Sequence, residues 1–446
     1  MLVVSVGTVE SLAAVPRRGQ RHSLVGRVGP HAGRRLAGAH ARDRDGERRE
    51  FGRIGRDAVG LPQVASQPPT QVVGVVAVKD TVTVRETGEL VGHWDIVRHC
   101  VVYMVGIVMH TSLPGTFIRP LSISHAMRAV RYHDHGGPEV LQVDDIDRPD
   151  PADDEVLIEV AAAGINPVDT YFVDGAYQPF TLPMIPGVDA AGEAVEVGSA
   201  VEGVTEGDAV VATGLSKDHY GACAEYVAVP EDRLAVLPTG VDSVEAGGAG
   251  VAAVTAWRAL IDHAGLEPAE TALIHGGSGG VGHAAVQLAA VAGARVVTTA
   301  APQYHDRLNA LGADVVLDYG RDDLRTAVTD ASAGGPDVIL DHRLDDYLQF
   351  DADVAAHDGR IVGIGENDPA IGFTNDGVAR GKDLTYQFMS MFNTPRLRDP
   401  LERVAHLLGE GDLEIEVAET YDLDEVATAH EDVMADSFLG KLVVTP

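Results

Sequence analysis

Residues 271–300 constrain the fold of this chain more than any other stretch. They open Thr271-Ala-Leu-Ile-His-Gly-Gly-Ser-Gly-Gly-Val-Gly-His-Ala-Ala-Val-Gln-Leu-Ala and close on Arg295-Val-Val-Thr-Thr-Ala. Thr271 to His275 has the near-unbroken apolar character of a strand buried on both faces. Val281, Ala284, Ala285 and Leu288 then share one helical face, and a second apolar run follows, so the unit reads β-α-β. Gly276, Gly279 and Gly282 recur every third residue across the strand-to-helix turn. In a dinucleotide-binding turn the first glycine permits the tight exit from the strand. The second lets backbone approach the pyrophosphate, and the third lets helix and strand pack closely. Ser278, Gly280 and Val281 complete the turn and the helix start, whose unpaired N–H groups face phosphate. Because strand, helix and second strand are all present, the glycines specify a nucleotide site rather than an incidental turn.

The second strand bears on which nicotinamide is bound. NAD sites place an acid at its end to hold the ribose 2′-hydroxyl. Here the strand ends Thr299-Ala300-Ala301, and the first acid is Asp306. That favours NADPH, with NADH as the alternative. Arg307 and Tyr319 are candidates for the 2′-phosphate, although Arg307 also reads as a solvated charge on a helix face.

The flanking patterns give the domain organisation. From Met127, short β-rich runs (Ala129-Val-Arg-Tyr, Val140-Leu-Gln-Val, Glu155-Val-Leu-Ile-Glu-Val, Ala209-Val-Val-Ala) are separated by Gly, Pro and Asp. Ser243 to His263 reads as a helix, and strands and helices then alternate to about Met391. Glu414-Ile-Glu-Val and Lys441-Leu-Val-Val-Thr return to strand, around helices predicted over 398–409 and 423–435. The expected fold is α/β and discontinuous. A β-rich domain over 127–250 and 391–446 encloses a doubly wound parallel sheet over 251–390.

Charge divides the chain sharply. Residues 1–126 hold 16 Lys/Arg and 10 Asp/Glu, a net of +6, whereas 127–446 hold 18 and 57, a net of −39. The only lysines after Met127 are Lys217, Lys382 and Lys441. Such a surface repels nucleic acid and anionic membranes. It suits a salt-rich cytoplasm that screens self-repulsion, which points to a salt-loving source, with an acidic mesophilic enzyme as the alternative. Residues 1–126 carry arginine pairs at 17–18, 34–35 and 48–49 without sustained periodicity. They read as a translated upstream region, a disordered basic extension or a small domain, and the abrupt change at Met127 favours the first. Two cysteines, Cys100 and Cys223, exclude a disulfide framework and a multi-thiolate metal site. The longest apolar run, Val101 to Met109, is too short to span a bilayer, and the N-terminus lacks a basic signal region. A cytoplasmic protein is expected.

At this point the residues resemble the zinc-free quinone oxidoreductase (zeta-crystallin-like) branch of the medium-chain dehydrogenase/reductase family, over essentially all of 127–446. The markers are Ala163-Gly-Ile-Asn-Pro-Val-Asp-Thr-Tyr, Pro186-Gly-Val-Asp-Ala-Ala-Gly, Gly221-Ala-Cys-Ala-Glu-Tyr, the glycine turn, Leu311-Gly-Ala-Asp and Gly440-Lys-Leu-Val. The resemblance implies a GroES-like catalytic domain beside the Rossmann domain, with the active site in the cleft between them. It implies that Asn166, Asp169, Tyr171 and Tyr177 line the substrate side, with Asn166 and the tyrosines donating to a developing oxyanion. Ordinary aromatic packing is the competing reading for the two tyrosines. Thr255 is expected near the nicotinamide.

Zinc-dependent relatives carry Cys where this chain has Asn166, and Gly-His-Glu where it has Gly187-Val188-Asp189. No metal is therefore expected. Quinones and conjugated enones delocalise incoming charge themselves, so the implied reaction is hydride transfer from NADPH to such an acceptor. A 2-enoyl thioester reductase and a non-catalytic NADPH-binding protein are the alternatives. The resemblance also implies a homo-oligomer. Three departures stand out. A lysine frequent near Tyr304 is absent, the segment after the fourth Rossmann strand reads Asp341-His-Arg-Leu-Asp, and Cys223 replaces a frequent tyrosine, where buried filler is its expected role.

Overall fold

The computed structural model describes residues 74–78, 81–85, 126–435 and 438–446. The chain separates into two compact units, 1–120 and 121–446. In the first, β1 (Gly74–Val78) and β2 (Thr81–Arg85) pair antiparallel, with Val78 opposite Thr81. The other readings made above for residues 1–125 lie outside the described residues.

The second unit opens with an antiparallel pair, β3 (Ala126–Arg131) and β4 (Gln142–Asp147). The long β5 (Glu155–Ile165) leads into α1 (Pro167–Val173). β6 (Ala190–Val197), β7 (Ala209–Ala212), β8 (Tyr226–Pro230) and β9 (Leu234–Val236) then build an antiparallel array on β5.

Next comes α2 (Ser243–Trp257), N-capped by Asp242, whose carboxylate accepts from the Val244 and Glu245 amides. The helix stops at Trp257, short of the predicted His263, and residues 258–263 continue as a π-turn. There the Arg258 guanidinium donates to the Ser390 carbonyl at 2.7 Å. Gly247 and Gly250 let α2 lie directly on β5 and on Asp189. A Cβ on Gly247 would stand 2.6 Å from the Ala162 Cβ, and one on Gly250 would stand 2.2 Å from an Asp189 oxygen.

Six parallel strands follow: β10 (Thr271–Ile274), β11 (Arg295–Thr299), β12 (Val315–Leu317), β13 (Val338–Asp341), β14 (Arg360–Gly363) and β15 (Thr385–Phe388). Their order is β12-β11-β10-β13-β14-β15. α3 (Gly280–Val291), α4 (His305–Ala310), α5 (Leu324–Ala331), α6 (Leu344–Val354) and α7 (Asp376–Gly381) make the crossovers. Every residue of β10 and β13 is buried, as expected where helices cover both faces of a parallel sheet. The strand order reverses between β10 and β13, and such a reversal opens a crevice at the carboxyl ends of the strands.

The chain then returns through α8 (Arg398–Glu410), β16 (Val417–Tyr421), α9 (Val426–Met434) and β17 (Lys441–Val444). β17 pairs antiparallel with β5, Leu442 opposite Ile165, and thus closes the seven-stranded sheet. The strand predicted at Glu414 begins three residues later. Residues 414 and 415 lie outside any strand, and side chains supply their backbone hydrogen bonds. The Gln287 amide brackets Glu414 (2.8 and 2.9 Å), and Glu245 accepts from the Ile415 amide.

Candidate active site

The glycine turn sits at the strand-order reversal. Gly276 has φ +67°, a left-handed conformation that favours glycine. Its amide donates to the Thr299 hydroxyl (3.1 Å), and the Gly277 amide donates to the Thr299 carbonyl (2.8 Å). Thr299 is thus buried and shapes the turn from the neighbouring strand. A Cβ on Gly282 would stand 2.0 Å from the Gly276 carbonyl oxygen, so the third glycine makes room for the turn itself. Gly279 is the extended N-cap of α3, and no side chain caps that helix. Its first N–H groups are therefore left for an anion. Ser278 is buried, and its carbonyl accepts from the Gly440 amide at 2.8 Å. These features, a cradle that side chains would fill and a helix start without a cap, fit a pyrophosphate. Gly280 and Val281 begin the helix there.

On the adenosine side, Ala300 and Ala301 are buried, and Tyr319 is exposed just beyond β12. Arg307 is not a free phosphate ligand. Its guanidinium pairs with Glu414 at 2.5 Å and with Glu416, so it braces α4 against the segment leading into β16. The Asp341 segment turns tightly, with an Asp341 oxygen accepting from the Arg343 amide at 2.7 Å. His342 packs on Gly276, where a Cβ would stand 2.5 Å from the ring. His275 stacks on Tyr347 at 4.3 Å and shares a 2.8 Å hydrogen bond with Asp351. Burial pulls the His275 imidazole down to about 4 and pushes the Asp351 carboxyl up to about 8.

On the substrate side, Asn166 is the N-cap of α1, with Pro167 at the first helical position. It is 3% exposed, and its carboxamide is fully engaged. Nδ2 donates to Asp189 (2.9 Å), and Oδ1 accepts from the Lys441 ammonium. Both ends of the Asn166 carboxamide, expected to donate to a substrate oxyanion, are thus bonded within the protein. Asp169 is fully buried, and its two oxygens accept from the Asn166 and Val188 amides (2.8 and 2.9 Å). Burial, with Asp189 nearby, pushes its carboxyl up to about 7. Asp189 also accepts from the Thr213 hydroxyl (2.6 Å) and the Val251 amide (2.8 Å). Burial raises the Asp189 carboxyl above its ordinary value, and the charge of the buried Lys441 and these three donors oppose that shift.

Tyr171 and Tyr177 do come together, edge to face at 5.8 Å. Phe172 joins them through Tyr177 at 5.6 Å and meets Phe392 at 5.9 Å. The Lys217 ammonium lies 6.0 Å from the Phe392 ring. Burial raises the Tyr171 hydroxyl above its ordinary pKa, and Tyr177, Asp174 and Glu366 add to it. Since Glu366 follows β14, Tyr171 lies within electrostatic reach of the parallel sheet's loops. Thr255 is buried near the end of α2. Cys223 is buried, which pushes its thiol pKa up and makes it unreactive packing.

Sequence reasoning missed Lys441, Asp189, Thr213 and Phe392 as site residues. Asn166 and Lys441 are 275 positions apart, so no local pattern joins them. Among the described residues, no group of three or more His, Cys, Asp or Glu side chains is arranged to hold a metal.

A GroES-like β-array and a doubly wound parallel sheet with an uncapped glycine turn define a two-lobed nicotinamide-dependent oxidoreductase class. Comparison with known proteins agrees. The alcohol dehydrogenase GroES-like domain family matches residues 152–239, and the zinc-binding dehydrogenase family matches 311–444. A quinone oxidoreductase from Lama guanicoe is 33% identical over 329 residues, covering 71% of this chain and 97% of that protein. A chloroplastic NADPH-dependent alkenal/one oxidoreductase from Arabidopsis thaliana is 38% identical over 46% of this chain and 55% of its own. The Escherichia coli quinone oxidoreductase, solved in complex with NADPH, superposes with a TM-score of 0.65 at 28% identity, over 72% of this chain and all of that one. The chain belongs to the medium-chain dehydrogenase/reductase superfamily, in its quinone oxidoreductase branch, and is an oxidoreductase.

Proposed function

We propose that residues 127–446 reduce quinones or conjugated enones with NADPH and without a metal. The observation that carries this reading is the glycine turn, whose backbone leaves room for phosphate and none for side chains. The NADPH complex of the Escherichia coli relative supports the choice of dinucleotide, as does the absence of an acid after β11. The relatives named for quinone and for alkenal/one reduction support the acceptor class.

Bound at the turn, the reduced nicotinamide supplies a hydride. The start of α3 and the Gly276–Gly282 backbone would receive its pyrophosphate, with Tyr319 at the exposed edge for the 2′-phosphate. The rings of Tyr171, Tyr177 and Phe392, packed around the buried Phe172, offer faces and edges for a planar acceptor. The Tyr171 hydroxyl, kept protonated by its surroundings, donates to the acceptor oxygen and carries a proton for it. The metal-free reading rests on chemistry at Asn166. Its carboxamide oxygen already holds an ammonium, whose charge repels a metal cation. The acidic surface supports a salt-rich cytoplasmic setting, and no helix among the described residues is long and apolar enough to cross a membrane.

Steady-state assays of the full chain in high salt test this reading. NADPH or NADH is paired with a quinone, an enone and an enoyl thioester, with and without chelator. Chelator-insensitive turnover preferring NADPH and a quinone or enone is expected. Chelator-sensitive alcohol oxidation as the only activity would overturn the proposal.

A further inference from the structure

We propose that Lys441 is a positioning residue that joins the acceptor side of the cleft to the dinucleotide turn. It is one of three lysines after Met127 and is 3% exposed. Its ammonium donates to the Ile165 carbonyl (2.7 Å) and to the Asn166 carboxamide oxygen, the two residues that connect β5 to α1. Its stem runs past the other lobe's turn, where a Cβ on Gly280 would stand 2.9 Å from the Lys441 Cδ. One residue earlier, the Gly440 amide donates to the Ser278 carbonyl inside that turn. Gly440 holds φ +89°, and a Cβ there would stand 2.1 Å from the Glu416 carbonyl oxygen. The backbone entering β17 is thus bonded to the glycine turn, while the strand's first side chain is bonded to the Asn166 corner.

This arrangement gives Lys441 a role beyond neutralising Asp189. Asn166 opens the helix that carries Tyr171, and Gly280 opens the helix that faces the phosphates. A shift at either helix start is transmitted to the other through one side chain of fixed length, whose charged end is held by two oxygens. The ammonium also selects the orientation of the Asn166 carboxamide. With Oδ1 toward Lys441, Nδ2 is directed to Asp189, whose remaining oxygen binds Thr213 and the Val251 amide of α2. Misplacement of reacting groups by about 1 Å costs on the order of a hundredfold in rate, so a link of this kind governs kcat more than acceptor binding.

The inference rests on the proposed reductase activity for what is turned over, and on geometry alone for the link to the dinucleotide. The test uses the full chain in high salt, with NADPH binding followed by nicotinamide fluorescence and turnover followed with a quinone. Lys441→Met is expected to lower kcat by about tenfold or more, with acceptor KM within about twofold. It should also raise the Kd for NADPH several-fold. In an Asn166→Ala background, Lys441→Met should cause little further loss of kcat, because residues acting through one another are non-additive. Removing the cation alone leaves a buried carboxylate unpaired. If that variant does not fold, Asp189→Asn/Lys441→Met removes both charges and carries the same comparison. A variant with a lower Tm but wild-type kcat and Kd well below that Tm would overturn the proposal, as would fully additive losses. If the wild type reduces no quinone or enone, the functional reading fails, while NADPH titration still reports on Lys441.

Discussion

At Tyr171 the hydroxyl is raised by burial, and Tyr177, Asp174 and Glu366 reinforce the shift, so it stays protonated through the neutral range. Tyr171→Phe keeps the ring packing and removes the proton. General acid contributions run to about a hundredfold or more. The variant should therefore lose kcat on that order with little change in Tm or in acceptor KM, and an unchanged kcat would assign proton delivery to water. Gly282 allows an equally local test. Overpacking a tight site costs about 1–3 kcal/mol, so Gly282→Ala should weaken NADPH binding by about tenfold or more. Wild-type affinity in a fluorescence titration would mean that the dinucleotide sits elsewhere. Gly282 was legible in the sequence because its signal is local, a three-residue glycine spacing, whereas Tyr171 was named through the family resemblance. The partners of Asn166, Asp169 and Arg307 were not legible. Asn166 and Arg307 are held by residues far along the chain, Asp169 by a capping box with Asn166 and by Val188, and composition does not reveal whether a carboxamide or guanidinium is already bonded.

At the scale of elements, the β10–α3–β11 unit was readable since its periodicities are strong and contiguous. The misplaced strand at Glu414 shows where such reading stops, because buried Leu413 and Ile415 alternate with glutamates as a strand does. Only the ladder distinguishes the two, and there Gln287 and Glu245 supply the hydrogen bonds. The β13–α6 unit leads to a pH prediction. Burial pushes Asp341 up to about 7 and Asp351 up to about 8, from an ordinary value of 3.8. Between those values the folded chain keeps protons that the unfolded chain has released, so stability falls as pH rises through the window. The buried His275, His283 and His430, pulled down from 6.5 to about 4, act in the opposite sense below 6.5. The acid effect should therefore emerge between about pH 6.5 and 8. Asp351→Asn removes one of the protons involved, and its Tm should fall less steeply over that range than the wild type's. Parallel Tm profiles for the two proteins would show that Asp351 ionises normally.

For the whole molecule, the open edge of the parallel sheet and the charge of the surface set the behaviour. Among the described residues β15 pairs only with β14, and its last residue, Phe388, is 62% exposed. Unpaired edges invite a second copy. A homo-oligomer in high salt is expected, and Phe388→Glu should shift it toward monomer by gel filtration; a wild-type monomer removes the idea. The charge argument goes further, because it concerns folding itself. Residues 127–446 carry a net −39 with three lysines, so their surface repels itself wherever screening is weak. The Debye length shortens from about 10 Å at 0.1 M salt to about 3 Å at 1 M, which removes most repulsion between neighbouring surface carboxylates. A gain of 1 kcal/mol moves Tm by about 2–4 °C in domains of comparable size, so relief of a few kcal/mol should raise Tm by about 5–10 °C. Potassium chloride is the proper titrant, because sulfate also strengthens burial by exclusion from the surface. A monotonic rise in Tm with chloride, larger than any given by sucrose at matched osmolality, would establish that screening stabilises this fold. A flat or falling Tm would mean that the acidic surface is tolerated without salt, and the salt-rich setting would then lose its physical basis.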